Sequence, residues 1–161
     1  DTDTDTDTDT AGSVAVEMET LWVHLDPDTL VPAKLPDWFV EAYGDAADGR
    51  RISSKLLLET PERPDELPHR PWPLRVTDID LMRHVNNAAY WAAIEEVAAG
   101  HPLRRTPFRA VLEYGSGIPA DSQVELLVDD DQQAGRLSIW FSVDGTVAAS
   151  ARLTTIPTGV R

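Results

Sequence analysis

Two acids and a histidine lie close together in the segment DIDLMRHVNNAAYW, which runs from residue 78 to residue 91. Asp80 and His84 are four positions apart, and an alanine-rich stretch typical of a helix follows them directly. The N-terminus of a helix carries unpaired backbone N–H groups and a positive dipole end, so it can stabilise a developing oxyanion. A nearby carboxylate can activate water or attack a carbonyl carbon, and a histidine can position or polarise the substrate. These are the components of an acyl-transfer site.

The same residues also fit a purely structural explanation, which their spacing alone favours. Asp78 and Asn87 are suited to capping a turn and the following helix, and His84 is suited to a packed position. A metal site is a weaker alternative, because Asp78, Asp80 and His84 crowd into one turn and the sequence offers no second cluster of ligands. The chain has no cysteine and no GxSxG sequence, so a thiol nucleophile is excluded and a serine triad has no support.

The helix after these residues is the clearest element in the sequence. NAAYWAAIEEVAAG, residues 87–100, is alanine-rich, has Tyr90 and Ile94 at helical spacing, and ends at Gly100. We expect Asn87 to cap it. Four strands are predicted to follow, joined by turn residues: FRAVLEY (108–114), SQVELLVDD (122–130), RLSIWFSVDG (136–145) and TVAASARLTTI (146–156).

Two more strands are predicted before the helix, in ISSKLLLE (52–59) and LRVTD (74–78), with a proline-rich loop at residues 60–73 between them. One helix combined with an antiparallel run of strands has an economical solution, in which the sheet wraps around the helix and buries it. The sequence therefore predicts an α+β domain over residues 51–161.

The first 50 residues have a different character. Residues 1–10, DTDTDTDTDT, form a low-complexity acidic tail that has no apolar side chain to bury and should stay unfolded by itself. Residues 11–50 are interpreted as a closing strand and a linker, because GSVAV at residue 12 repeats the form of GTVAA at residue 145. Within them, LPDWFVEAYG (35–44) is predicted to form a short helix.

The net charge of −14 is unevenly distributed. Residues 1–50 hold 13 acids and 2 bases, whereas residues 51–161 hold 15 acids and 12 bases, with Arg104, Arg105 and Arg109 clustered. An anionic ligand near these arginines is therefore compatible with the charge, but a nucleic acid is not expected, because there is no basic face with interleaved aromatics. No apolar run approaches the roughly 18 residues of a membrane span, and the cytoplasm is the default expectation.

The segment RVTDIDLMRHVNNAAYWAAIEE, residues 75–96, resembles the second hotdog repeat of the acyl-ACP thioesterases. That family's pattern is R-x-[ST]-D-x-D-x-N-x-HVNN-x-x-Y, with a glutamate further along the helix. TLWVHLDPDTLVPAKLPDWF (20–39) resembles the segment joining the family's two repeats, and LEYGSGIPADS (112–122) resembles the strand and turn after the helix. The resemblance implies a hotdog fold for residues 51–161, a curved antiparallel sheet around one central helix. It also implies that residues 11–50 end an incomplete first repeat.

Carried over by position, the family's catalytic aspartate corresponds to Asp80 and its catalytic histidine to His84. The implied mechanism is centred on Asp80 as general base or nucleophile, with the helix N-terminus as oxyanion hole and His84 orienting or polarising the thioester. The chain departs from the family pattern at three positions. Met82 replaces an asparagine, and Gly117 and Ile118 replace a glutamate and a cysteine.

The resemblance implies hydrolysis of fatty acyl thioesters carried on acyl carrier protein or coenzyme A, without a metal or other cofactor. Asn86, Asn87, Arg104 and Arg105 are expected to contact substrate, the arginines through a carrier phosphate. Glu96, on the helix, is a reserve candidate for the base. Since one hotdog unit leaves a sheet edge and the substrate groove uncovered, we expect a homodimer or tandem pairing with another hotdog unit.

The three departures favour an alternative hypothesis, in which the chain is a hotdog module that has lost catalysis and serves in acyl binding or dimerisation. A dehydratase or hydratase on the same fold is a third possibility. Those enzymes usually place the histidine one residue further from the aspartate than the spacing found here.

Overall fold

The computed structural model describes residues 18–21, 23–26, 29, 31–47 and 55–156. The chain divides into two compact units, Asp1–Lys55 and Leu56–Arg161. In the first unit, helix α1 (Asp37–Tyr43) begins after Pro36 and continues into a 3-10 turn at Gly44–Ala47, as the sequence predicts for its position. The described residues of the predicted closing strand form only an isolated bridge between Leu25 and Pro32, so the strand prediction is wrong for them. The rest of that segment lies outside the described residues.

The second unit is built on a five-stranded antiparallel sheet. Its strands are β1 (His69–Trp72), β2 (Phe108–Tyr114), β3 (Val124–Asp131), β4 (Arg136–Val143) and β5 (Thr146–Thr155). The order across the sheet is β1-β3-β4-β5-β2, so β1 and β2 are the two edges. A register shift between Phe141 and Ser142 interrupts the pairing of β4 with β5. The four strands predicted after the helix are confirmed, with small differences at their ends.

Helix α2 (Asn87–Ala98) packs against one face of this sheet. Its buried side chains include Tyr90 and Ile94, and the Tyr90 ring contacts Trp72 of β1 and Phe141 of β4 at centroid distances of 5.8 and 4.9 Å. Alanines on the helix and on β5 belong to the buried core, and larger side chains fill the rest of it. The predicted arrangement of one helix against an antiparallel sheet is confirmed.

The opposite, outer face of the sheet is covered in part by residues 56–67, which we call the strap. The Glu113 carboxylate of β2 accepts hydrogen bonds from the backbone N–H groups of Leu57 and Leu58, at 2.8 to 2.9 Å. Further along, the indole Nε1 of Trp140 on β4 donates to the carbonyl of Glu59 at 2.8 Å. Side chains of the sheet therefore take up backbone hydrogen bonds of the strap that a strand partner would otherwise take.

Two strand predictions before the helix are wrong. In ISSKLLLE, residues 52–54 lie outside the described residues, and residues 56–59 belong to the strap and form no strand, because Glu113 accepts the N–H groups of Leu57 and Leu58. LRVTD holds a 3-10 turn at Val76–Asp78, which the Asp78 carboxylate closes by accepting from the Arg75 backbone N–H. The strand of this region is instead β1, inside the predicted proline-rich loop. Pro71 is tolerated there because β1 is an edge strand.

Candidate active site

The segment from Asp78 to Asn86 forms a loop whose shape is set by backbone hydrogen bonds. The Asp80 N–H donates to the His84 carbonyl at 2.8 Å, and the Arg83 N–H donates to the Asp80 carbonyl at 3.1 Å. Arg83 closes this turn with a φ of 59°, in the left-handed region. Two further bonds attach the loop to residues 118–120: Val85 N–H donates to the Ile118 carbonyl, and Ala120 N–H donates to the Arg83 carbonyl.

The Asp80 carboxylate is held by one of its two oxygens. Oδ1 accepts from the backbone N–H groups of Met82 at 2.9 Å and His84 at 3.0 Å. No described residue donates to Oδ2, and the side chain is exposed. The arrangement thus fixes the direction of the carboxylate while leaving one oxygen to accept a proton or approach a carbon atom.

His84 lies beside the residues that depart from the family pattern. It forms a bridge with Pro119, and a Cβ atom placed on Gly117 would lie 3.4 Å from Cγ and Nδ1 of its ring. Gly117 therefore lies against the ring, and a side chain larger than a methyl group at this position would meet it. Ile118 is fully buried in the core, at 0% exposure, whereas Met82 is 47% exposed.

The N-terminus of α2 follows the loop directly. Asn86 is the cap: its Oδ1 accepts from the Ala89 N–H at 3.0 Å, and its Nδ2 donates to the Thr77 carbonyl at 3.2 Å. The prediction that Asn87 caps the helix is wrong by one residue, because the extended backbone of position 86 suits the cap. Asn87 is the first helical residue, and its side chain is exposed. Both the oxygen and the nitrogen of the Asn86 side-chain amide are thus already hydrogen-bonded within the chain.

Asp78 anchors the start of the loop. Its carboxylate is buried, and it accepts from the Arg75 guanidinium at 2.9 Å from Nη2 and 3.1 Å from Nε, and from the Arg75 backbone N–H at 2.8 Å. The hydrogen bond from the guanidinium holds the pKa of Asp78 below its usual value. The Asp78 carbonyl accepts from the Asn86 N–H, which ties this ion pair to the helix cap. The structure therefore gives Asp78 the structural role that its spacing indicates.

Two tyrosines lie next to this loop and were not predicted as site residues. Tyr90 is buried, its ring meets that of Tyr114 edge to face at a centroid distance of 5.1 Å, and the Tyr114 hydroxyl donates to the Asn87 carbonyl at 3.4 Å. Burial, together with the smaller effects of the charges of Tyr114 and Asp80, raises the pKa of Tyr90 to about 12. The sequence offered only the helical spacing of Tyr90, which is equally typical of a core residue.

The predicted substrate-binding arginines lie elsewhere in the unit. Arg104 and Arg105 end a 3-10 turn, Pro102–Arg105, that comes after the C-terminal end of α2. Helix α2 has 12 residues, so about 18 Å of helix separates its two ends. Asp80 precedes one end and the arginines follow the other, so a single unit does not bring them together. Glu96, the reserve candidate, is exposed near the same far end as the arginines.

Within the ranges that the structure describes, no three His, Cys, Asp or Glu side chains form a group that could hold a metal ion. Among the helices found in those ranges, none combines the length and the apolar character needed to cross a bilayer.

The family model and the similar solved structures point to the same protein family. Residues 62–155 match the family model of the acyl-ACP thioesterase C-terminal domain. Two uncharacterised Mycobacterium tuberculosis proteins are each 34% identical to this chain over 138 residues, covering 86% of it and 54% of their own length. The chain thus spans about half the length of the curated relatives it matches.

Two solved structures share the architecture. The 12:0-ACP thioesterase from Umbellularia californica has a TM-score of 0.60 and 20% identity, covering 83% of this chain and 53% of that one. The putative oleoyl thioesterase from Lactobacillus plantarum has a TM-score of 0.53 and 18% identity, covering 87% of this chain and 56% of that one. At these identities the likeness shows the fold, which is the hotdog fold predicted from the sequence. By its sequence match and its fold, the chain belongs to the acyl-ACP thioesterase family and corresponds to its C-terminal domain.

Proposed function

We propose that this chain hydrolyses fatty acyl thioesters carried on acyl carrier protein or coenzyme A, with Asp80 as the central residue. The observation that carries this proposal is the geometry of the Asp80 carboxylate. One oxygen is fixed by two backbone N–H groups, the other is free, and the loop leads directly into the N-terminus of α2. A fixed carboxylate in the loop that leads into a helix N-terminus suits the cleavage of an acyl bond.

In the proposed mechanism, Oδ2 of Asp80 accepts a proton from a water molecule as the water oxygen attacks the thioester carbon. The negative charge that develops on the carbonyl oxygen is stabilised by the N–H groups that the cap leaves unpaired at the start of α2 and by the helix dipole. Collapse of this intermediate breaks the C–S bond, and protonated Asp80 returns its proton to the departing thiolate, which leaves as the free thiol. His84 orients the thioester from the other side of the loop. Direct attack by Oδ2 on the thioester carbon, followed by hydrolysis of the acyl-enzyme, is the second form of the same Asp-centred chemistry.

This chain matches only about half the length of each relative, which supports the presence of a second hotdog unit beside this one. We propose that the acyl groove is completed either by a second copy of this chain or by a first repeat in a longer chain. The side chains of α2 that face away from the sheet, which include Trp91 and Ala92, are exposed in the single unit and are available to such a partner.

The substitutions at Met82, Gly117 and Ile118 favour a second candidate function, acyl binding without catalysis. Ile118 offers no polar atom in its side chain, and the Met82 side chain cannot replace the hydrogen bonds of an asparagine amide. The two candidates differ in one measurable way. A thioesterase releases free thiol from an acyl thioester, whereas a binding module retains the thioester intact.

The test is thiol release from a chain-length series of acyl-ACP and acyl-CoA substrates. Because the chain has no cysteine, a thiol reagent reports only the released carrier. Asp80→Asn is the sharpest variant, since its amide oxygen can still accept from Met82 and His84 while the base is lost. It should lower turnover by at least about 100-fold, and His84→Ala should also reduce it.

Asp65→Asn, at an exposed position in the strap, is the matched control and should keep the parental rate. Equal rates for the parent, Asp80→Asn and His84→Ala would show that the mechanism is wrong. Acyl binding by the parent without thiol release would support the binding module instead. In that case Met82→Asn, which restores the family's residue, is the variant in which to look for recovered turnover.

A further inference from the structure

The side chain of Tyr90 carries a hydroxyl group that is not paired within the described part of the chain. The residue is 1% exposed, and its ring contacts the rings of Trp72, Tyr114 and Phe141 at centroid distances of 5.8, 5.1 and 4.9 Å. None of the hydrogen bonds among the described residues involves the Tyr90 oxygen, whereas the Tyr114 hydroxyl donates to the Asn87 carbonyl. A buried hydroxyl without a partner destabilises a fold, and phenylalanine would fill the same space without that penalty. The hydroxyl therefore calls for a functional explanation.

The place of Tyr90 in α2 directs its hydroxyl toward the candidate site. Tyr90 is the fourth residue of the helix, and long helical side chains point back toward the helix N-terminus. That end is the one that Asn86 caps and that the Asp80 loop leads into. Two contacts agree with this direction. The Tyr90 ring meets that of Tyr114, whose hydroxyl reaches the Asn87 carbonyl, and the Asp80 carboxylate is close enough to contribute to the raised pKa of Tyr90.

The Tyr90 oxygen is not sealed from solvent, although the ring is buried. Two side-chain atoms of the described residues are both sealed and without a partner, namely Nε of Arg136 and Nε of Arg152. The Tyr90 oxygen also lacks a partner in this part of the chain, yet it is not one of those sealed atoms. A ligand at the start of α2 can therefore reach it.

The protonation state of Tyr90 makes this hydroxyl a donor. Burial, with smaller effects of the charges of Tyr114 and Asp80, raises the pKa of Tyr90 to about 12, so the phenol keeps its proton throughout the neutral range. A neutral donor suits an oxygen atom that gains negative charge in a transition state, because it stabilises that charge without losing its own proton. The three surrounding rings fix the donor before a substrate arrives, which is the condition for efficient stabilisation.

From these contacts we infer that the Tyr90 hydroxyl donates a hydrogen bond to the carbonyl oxygen of a bound acyl thioester, beside the N–H groups at the start of α2. The inference rests on the proposed function for the identity of the ligand. Asp80 takes the proton of the attacking water, and Tyr90 keeps its own. The hydrogen bond from Tyr90 strengthens as the carbonyl oxygen becomes negative and weakens when the C–S bond breaks, so no bond to Tyr90 is made or broken.

The first test separates this role from packing. Tyr90→Phe keeps the ring and removes only the oxygen, so its urea midpoint should equal or exceed that of the parent. Its kcat for acyl-CoA should nevertheless fall by about 10- to 100-fold, with KM nearly unchanged, because the donor acts mainly in the transition state. Tyr114→Phe is the matched control: it removes the hydroxyl of the neighbouring ring, which is already bonded to the Asn87 carbonyl, and should stay close to the parental kcat.

The second test measures binding, so that it does not depend on hydrolysis. Two analogues of acyl-CoA are titrated, both with a methylene group in place of the sulfur. The first keeps the carbonyl group, and the second has a methylene group there as well. The parent should bind the ketone more tightly than the second analogue. Tyr90→Phe should lose about three- to tenfold in affinity for the ketone and bind the second analogue as the parent does.

A Tyr90→Phe protein with the parental kcat, or with the parental preference for the ketone, would overturn the inference. A lower urea midpoint for Tyr90→Phe would overturn it as well, because the hydroxyl would then support the fold, and so would a parent that binds neither analogue. If the parent hydrolyses no thioester but its preference for the ketone depends on Tyr90, the proposed function fails while this contact stands. If the parent is active and Tyr90→Phe equals it, the proposed function stands and the inference fails.

Discussion

Replacing Asp78 with asparagine should destabilise the unit, because it removes a buried charge that is paired with Arg75. The Asp78 side chain is 4% exposed and accepts from both the guanidinium and the backbone N–H of Arg75. Breaking a fully buried ion pair costs about 3 to 5 kcal/mol. Since the Arg75 side chain is 67% exposed, water screens part of the attraction, and we expect a loss of about 2 kcal/mol. The asparagine amide would also point a donor at the donors of Arg75.

The effect should depend on pH in a defined direction. The pKa of Asp78 is lowered in the folded state by the Arg75 guanidinium, so its contribution to stability is complete above the unfolded value of about 3.9. That contribution is lost as the pH falls through the folded pKa. The difference in the free energy of unfolding between the parent and Asp78→Asn should therefore be largest at neutral pH and become smaller in strong acid.

Urea unfolding followed by circular dichroism between pH 7 and pH 3 measures both effects. The midpoint of Asp78→Asn should be lower at pH 7 with an unchanged slope, whereas the exposed control Asp65→Asn should unfold like the parent. Equal midpoints for the parent and Asp78→Asn at pH 7 would refute the view that this ion pair stabilises the loop. A difference that grows toward acid would refute the assigned direction of the pKa.

Three further outcomes follow from particular contacts. Tyr90 should ionise with a pKa of about 12, so Tyr90→Phe should remove the most alkaline step of the tyrosine absorbance titration; loss of an ordinary step near 10 would contradict this. Glu113→Gln should lower the free energy of unfolding by about 1 to 2 kcal/mol and speed hydrogen exchange at residues 57–58, and unchanged exchange there would argue against the strap contact. Gly117→Ala should be tolerated, whereas the larger side chain of Gly117→Val should displace the His84 ring and lower turnover; equal rates would show that the ring position is unimportant.

The strands that the sequence predicts well have their determinants within a few residues. FRAVLEY is β-rich and bounded by proline and glycine, and it corresponds to β2 without a shift. Residues 132–135, QQAG, form the turn between β3 and β4, and Gly135 there adopts a φ of 60°. Local propensity and tertiary structure agree at these positions.

The errors occur where a distant contact decides the structure. The apolar run at residues 56–58 resembles a strand, but the carboxylate of Glu113, more than 50 residues away, accepts the N–H groups of Leu57 and Leu58. The strand β1 is hidden by Pro71, which only an edge position permits. The family resemblance identified Asp80 and His84 as candidate site residues. The free oxygen of Asp80 and the position of the His84 ring beside Gly117 depend on tertiary contacts, which no local sequence pattern contains.

Between Asp80 and His84, the loop owes its shape to main-chain hydrogen bonds and to the Asp80 carboxylate. The side chains of Leu81 and Met82, at 103% and 47% exposure, make none of its hydrogen bonds. Mutations at these two positions can therefore accumulate during evolution without unfolding the loop. Under the proposed function, the surface of this loop can vary while its main-chain framework stays constant, and positions 81 and 82 are where a library for altered turnover or specificity should begin.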